Sequence, residues 1–195
     1  MKVLLATILA VLALASSSRA ATVHGTVNVE GQPATNVVVY LERVAGAASA
    51  ANVGPPVLMD QRNLRFLPEV LAVRQGTVVE FRNSDDVQHN VFTPSEAGAR
   101  FDLGTYSRGE MRTVTLDQPG DLVILCNIHM EMEAHILVLR DPSFAVTDAQ
   151  GGYRIADVEP GRYTLRVWQK RWLSDGQAVD VPVAPDFSLD VPFDD

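Results

Sequence analysis

The chain has a single cysteine, Cys126. One thiol excludes an intramolecular disulfide, and in an oxidising compartment a leftover thiol is a liability unless it is buried, paired between chains or bound to a metal. Long apolar runs are also missing beyond residue 20, which leaves the rest of the chain without a segment able to cross a bilayer as a helix. No stretch keeps a helical period for more than about ten residues, which argues against an α-helical framework. Basic residues are in deficit, with 16 Lys and Arg against 24 Asp and Glu. Nucleic acid and anionic lipid, which call for a basic surface, are therefore excluded as natural partners.

The start of the chain is the one long apolar segment. Met1-Lys2 is short and basic, Val3 to Leu14 is almost unbroken Val, Leu, Ala and Ile, and Ser18-Arg19-Ala20 offers small residues for cleavage. This reads as a secretory signal peptide, residues 1–20, cut between Ala20 and Ala21, and implies a periplasmic or secreted protein. Removal of Lys2 and Arg19 leaves 14 basic against 24 acidic residues, a net charge of −10. A basic partner would be steered toward such a surface.

What remains is alternation of apolar and polar residues with frequent Gly and Pro, an all-β pattern. Thr22 to Glu30 and Asn36 to Arg43 form a hairpin-like pair around Gly31-Gln32-Pro33. Two strands alone are marginal, so this pair must join a larger sheet. Residues 45–56, rich in Ala, Gly, Ser and Pro, read as a linker. Residues 57–140 carry strands at Leu71 to Val73, Thr77 to Arg82, Gln88 to Phe92, Met111 to Leu116, Asp121 to Cys126 and Ala134 to Arg140. A long polar connection, Pro94 to Gly109, interrupts them, and the spacing suits a Greek-key sandwich of about seven or eight strands. Five short strands follow in residues 141–195, too few for a full core of their own. Residues 21–44 are therefore expected to complete that C-terminal sandwich, with residues 57–140 inserted between its second and third strands; the alternative is three independent segments in sequence order.

The chemistry concentrates in Cys126-Asn-Ile-His-Met-Glu-Met132, just after the apolar run Leu122 to Leu125. A thiolate, an imidazole and a thioether are three of the four ligands of a blue-copper electron-transfer site, whose fourth is a second histidine. His89, in Asn83-Ser-Asp-Asp-Val-Gln-His-Asn-Val-Phe92, is the best-placed partner. The candidate metal ligands are thus His89, Cys126, His129 and Met132 around one copper ion. Asn90 is expected to tie the two ligand loops together through its amide. Met130, Pro94 and Gly98 are expected to form a small apolar contact patch, ringed by Asp85, Asp86, Glu131 and Glu133.

On these residues the chain shows two resemblances. His89-Asn90 with Cys-x2-His-x2-Met resembles the cupredoxins, the plastocyanin and amicyanin class, over about residues 57–140. His24-Gly-Thr-Val27, Gly31-Gln-Pro33, Thr147-Asp-Ala-Gln-Gly-Gly-Tyr153 and Pro160-Gly-Arg-Tyr-Thr-Leu165 resemble the carboxypeptidase regulatory-like, transthyretin-type sandwich. Together they look like the bacterial exported proteins labelled methylamine utilisation proteins. The resemblance implies one type 1 copper site, no enzymatic activity, and a redox partner such as a cytochrome c-like protein or a dehydrogenase. Two positions depart from the pattern. Met130 is a second thioether beside the loop histidine, and His135 has no assigned counterpart.

Two other readings use the same residues. A copper carrier or storage protein would use them for Cu(I), with Met130 and His135 as added soft or imidazole groups. An enzyme would use Cys126 as nucleophile and His129 as base, but no third group or substrate pocket is indicated.

Overall fold

The computed structural model describes residues 20–44, 53–94, 100–141, 143–170 and 172–193. All but the last residue of the expected signal peptide, most of the expected linker, and Gly98 lie outside the described residues. Among those described there are nineteen strands and no helix. The first three are β1 (Ala21–Val29), β2 (Gln32–Pro33) and β3 (Val38–Arg43). The central stretch contains β4 (Val57–Gln61), β5 (Phe66–Leu67), β6 (Val70–Arg74), β7 (Thr77–Asn83), β8 (His89–Thr93), β9 (Phe101–Tyr106), β10 (Met111–Leu116), β11 (Gly120–Leu125) and β12 (Glu133–Leu139). The last part holds β13 (Phe144–Val146), β14 (Gly152–Val158), β15 (Gly161–Gln169), β16 (Trp172–Leu173), β17 (Gln177–Val181), β18 (Asp186–Ser188) and β19 (Val191–Phe193).

The central strands form two facing sheets, β10-β7-β4-β5 and β6-β12-β11-β8-β9. Parallel pairing of β4 with β7 and of β6 with β12, among otherwise antiparallel neighbours, marks crossovers between the two layers. Alternation fills the space between them. In β7, Val79 and Phe81 point inward, while Leu122 and Ile124 of β11 and Ile136 and Val138 of β12 meet them from the other sheet. Full burial of each such side chain is worth about 1.5–3 kcal/mol. Within the expected Pro94 to Gly109 connection, Phe101–Tyr106 is regular and pairs with β8 as an edge strand. Its outward positions are exposed, so the apolar signal was confined to Phe101, Leu103 and Tyr106.

The flanking strands form a second pair of sheets. In one, β1 lies between β14 and the parallel strands β18 and β19; in the other, β3 pairs with β13 and β15, and β15 with β16 and β17. Val23, Val39, Leu41, Ile155, Tyr163 and Leu165 fill the core between them. β18 and β19 are separated by two residues. Leu189 and Asp190 leave the ladder where the chain passes over Gly25, whose Cβ, if present, would lie 2.0 Å from the Leu189 carbonyl oxygen. Asp190 instead accepts hydrogen bonds from the Thr26 N–H at 2.8 Å and the Thr26 hydroxyl at 2.9 Å.

The two sandwiches meet on the outer face of the β6-β12 pair. Val70, Leu137 and Leu139 pack there against Val38, Tyr40 and Trp168. This second contact explains why β12 carries the continuous apolar run Ile136 to Leu139: both of its faces are buried. A groove of about 740 Å³ runs along the junction beside Tyr40, Asp121, Leu139 and Trp168.

Candidate metal centre

Three donors converge at one end of the central sandwich. His89 opens β8, Cys126 directly follows β11, and His129 sits in the loop from β11 to β12. Cys126 Sγ lies 4.0 Å from His89 Nδ1, and His129 Nδ1 lies 3.1 Å from the same nitrogen. The ligand atoms of all three residues fall within 4.8 Å of one another. The two rings meet edge to face with centroids 4.8 Å apart. His89 is fully buried, Cys126 is 3% exposed and His129 is half-buried.

The local chain explains the convergence. The Asn90 N–H approaches Cys126 Sγ at 3.5 Å, while its side-chain oxygen accepts from the Asn127 N–H at 3.4 Å. Its amide nitrogen donates to Asp102 Oδ1 at 2.7 Å, which fixes the side chain from behind. Asn90 therefore bridges the strand that carries His89 and the loop that carries His129. On that loop, the Met132 N–H donates to the His129 carbonyl at 3.0 Å and closes a tight turn. Met132 is 1% exposed and belongs to the same core cluster as Cys126. Met130, by contrast, is 90% exposed, and its neighbour Ile128 is 45% exposed.

The acidic ring expected from sequence is not built as a ring. Asp86 is exposed and pairs with Arg108. Glu131 is exposed. Asp85 turns inward, with Oδ2 2.9 Å from His89 Nε2. It also accepts backbone N–H groups from Asn63 at 2.6 Å and Leu64 at 2.9 Å. Those two residues are the centre of the turn between β4 and β5, with φ of 55° and 58°. A leucine in that region costs about 1–2 kcal/mol, a cost the paired N–H bonds to Asp85 offset. Burial alone would raise the Asp85 pKa, but hydrogen bonds from Leu64, His89 and Asn63 outweigh it and hold the carboxyl below its usual value.

Glu133 and His135 lie at the junction between sandwiches. His135 Nδ1 is 3.2 Å from Asp121 Oδ1 and its Nε2 is 3.3 Å from Glu133 Oε1. Trp168 lies tilted against the ring, with centroids 5.4 Å apart, and donates its indole N–H to Asp121 Oδ2 at 3.2 Å. Lys170 Nζ, 2.6 Å from Glu133, completes the group. With both ring nitrogens engaged, His135 does not join the metal cluster.

The donor set selects the metal class. Two imidazole nitrogens and one thiol, close enough to share an ion, are the soft and borderline ligands of a blue-copper site, and the buried Met132 of the same core cluster adds a thioether to the loop. Hard-cation sites want oxygens instead. None of the three donor residues lines the junction groove.

Several solved structures share similarity with this chain. A copper-containing nitrite reductase from Thermus scotoductus SA-01 is 30% identical over 50% of this chain and 25% of its own, with a TM-score of 0.42. The chain thus spans a quarter of that enzyme's length. A reduced amicyanin variant is 17% identical over 52% of this chain and 98% of its own, with a TM-score of 0.41. A purple cupredoxin from Nitrosopumilus maritimus is 18% identical over 44% of this chain and 100% of its own, with a TM-score of 0.38. No curated protein matches. Residues 56–139 match the family described as copper binding proteins, plastocyanin/azurin family, and the His89, Cys126 and His129 donors inside that stretch make copper the cofactor, at one type 1 site.

Proposed function

We propose that the protein is an exported blue-copper carrier that passes single electrons between redox partners outside the cytoplasm. The observation that carries this reading is the convergence of His89, Cys126 and His129 in a buried site of which His129 alone is half-exposed. Copper supplies a one-electron couple. His89 Nδ1, His129 Nδ1 and Cys126 Sγ would hold it, with the thioether of Met132, buried in the same core cluster as Cys126, as the weak fourth ligand. Cys126 would bind it as the thiolate. Because the donors come from a strand and a loop tied together by Asn90, the fold rather than the ion sets their positions, which suits rapid change of oxidation state.

His129 offers the route to the surface. Ile128 and Met130 flank it with exposed apolar area. A transient contact there, with a basic redox partner steered by the net acidic charge, would stay weak and fast. Residues 21–44 and 141–195 form the carboxypeptidase regulatory-like sandwich in this reading, with residues 57–140 as the insertion. Pairing of β1 with β14 and of β3 with β15 supports that arrangement.

The test is direct. The mature protein loaded with Cu(II) is expected to show the intense visible band of a copper–thiolate site and to be reduced and reoxidised by one electron. A colourless loaded protein overturns the reading. The 90% exposure of Met130 favours a second reading, a copper carrier that hands on Cu(I). Transfer of Cu(I) to an acceptor chelator that slows in Met130→Ala, without a reversible Cu(II) couple, would establish that alternative.

A further inference from the structure

We propose that Asp85 is the positioning residue of the centre: its carboxylate fixes His89 as the Nε2–H tautomer and biases the site toward the oxidised ion. This rests on the copper reading above. A neutral imidazole carries one N–H, and a carboxylate can only accept. The 2.9 Å contact between Asp85 Oδ2 and His89 Nε2 therefore puts the proton on Nε2. Nδ1 is left with its lone pair. That nitrogen is the one 3.1 Å from His129 Nδ1 and 4.0 Å from Cys126 Sγ.

Asp85 is held as firmly as the ring it orients. Besides the Asn63 and Leu64 N–H bonds, its own N–H donates to Asn83 Oδ1 at 2.9 Å. The Asn83 side-chain nitrogen donates in turn to the carbonyls of Val87 at 2.8 Å and Tyr106 at 3.1 Å. One carboxylate thus closes the β4–β5 turn and aims the ligand, so the two conformations are coupled. With 13% of its side chain exposed, Asp85 also places a negative charge next to the ligand with little solvent between them. Partners of this kind make a ligand histidine more basic, and an anion so placed favours the more highly charged oxidation state.

Two variants separate orientation from charge. Asp85→Asn keeps an oxygen acceptor for Nε2–H and removes the charge; Asp85→Ala removes both. In the metal-free protein, long-range ¹H–¹⁵N spectra are expected to show His89 as a single Nε2–H tautomer in wild type and in Asp85→Asn, and as a mixture in Asp85→Ala. Competition with chelators is expected to show Cu(II) affinity lowered about 10–100-fold in Asp85→Ala, the loss typical for a partner of a metal ligand. In Asp85→Asn the ratio of Cu(II) to Cu(I) affinity should fall about tenfold, within the same range. The Asn63 and Leu64 amide signals report whether the turn persists, and should Asp85→Ala fail to fold, Asp85→Asn carries the test. An Nδ1–H tautomer in the wild-type metal-free protein overturns the proposal. So do unchanged affinities for both ions in Asp85→Asn. Wild-type protein that binds no copper sinks the reading of the centre and the charge effect with it, while the metal-free spectrum still decides the orientation.

Discussion

His89 and His135 make an instructive pair. Both lie in strands of one five-stranded sheet, both are buried, and both touch carboxylates. His89 gives one nitrogen to Asp85 and turns the other toward Cys126 and His129. His135 gives both nitrogens away, to Asp121 and Glu133, and its ring packs against Trp168. The difference teaches that burial and nearby acids do not make a histidine a ligand. An uncommitted lone pair aimed at other donors does. One histidine is built to bind, the other to fasten two sandwiches together.

The comparison breaks most decisively at the thiol. Cys126→Ser is expected to abolish the visible band of the copper-loaded protein, and His89→Ala to do nearly the same, while neither change much affects the junction; absorption spectra and near-ultraviolet circular dichroism read the two separately. Trp168→Ala should have the opposite profile. It removes a buried aromatic from the junction, with an expected loss of about 3–5 kcal/mol in chemical denaturation and an unaltered copper spectrum. His135→Ala should behave likewise on a smaller scale, costing about 1–3 kcal/mol as Asp121 and Glu133 lose their shared partner. A bleached or shifted copper band in His135→Ala would show that the two histidines are not independent.

The smallest effect comes from a carboxylate outside both clusters and sets their baseline. Hydrogen bonds from the Thr26 N–H and hydroxyl hold the Asp190 pKa below its ordinary 3.8. A lowered folded pKa stabilises the fold above the unfolded value and is lost as pH falls through the folded one. Asp190→Asn is therefore expected to flatten the acid limb of the stability curve slightly, with the copper spectrum unchanged.

Much of the centre was legible because its information is local. Cys126 and His129 sit three residues apart, and a strand followed by a tight loop is enough to bring them together. His89 could be added because few other imidazoles were available. The role of Asp85 was not legible, although it lies four residues before His89. Its direction depends on the N–H groups of Asn63 and Leu64, on a turn formed by a different strand pair. Sequence could only place it among exposed acids. The junction was hidden for a related reason. Asp121 and Trp168 are 47 positions apart and meet only when both sandwiches have formed. One signal did point there: Ile136 to Leu139 is continuous rather than alternating, as expected of a strand buried on both faces. β9 escaped notice because an edge strand with one exposed face offers little apolar pattern.

One feature of the topology bears on how the chain acquires its shape. The Leu41 N–H donates to the Ser143 carbonyl at 2.9 Å, and β3 pairs with β13, so the chain leaves and re-enters the flanking sandwich at adjacent points. Forming that ladder from an unstructured chain means closing a loop of roughly 100 residues before any contact repays the entropy. If the central sandwich forms first, its own compactness brings the two exits together and the loop becomes short. The copper-binding unit is then the natural nucleus of the molecule, and the flanking sheets, whose strands come from both ends of the described chain, are the part that must wait.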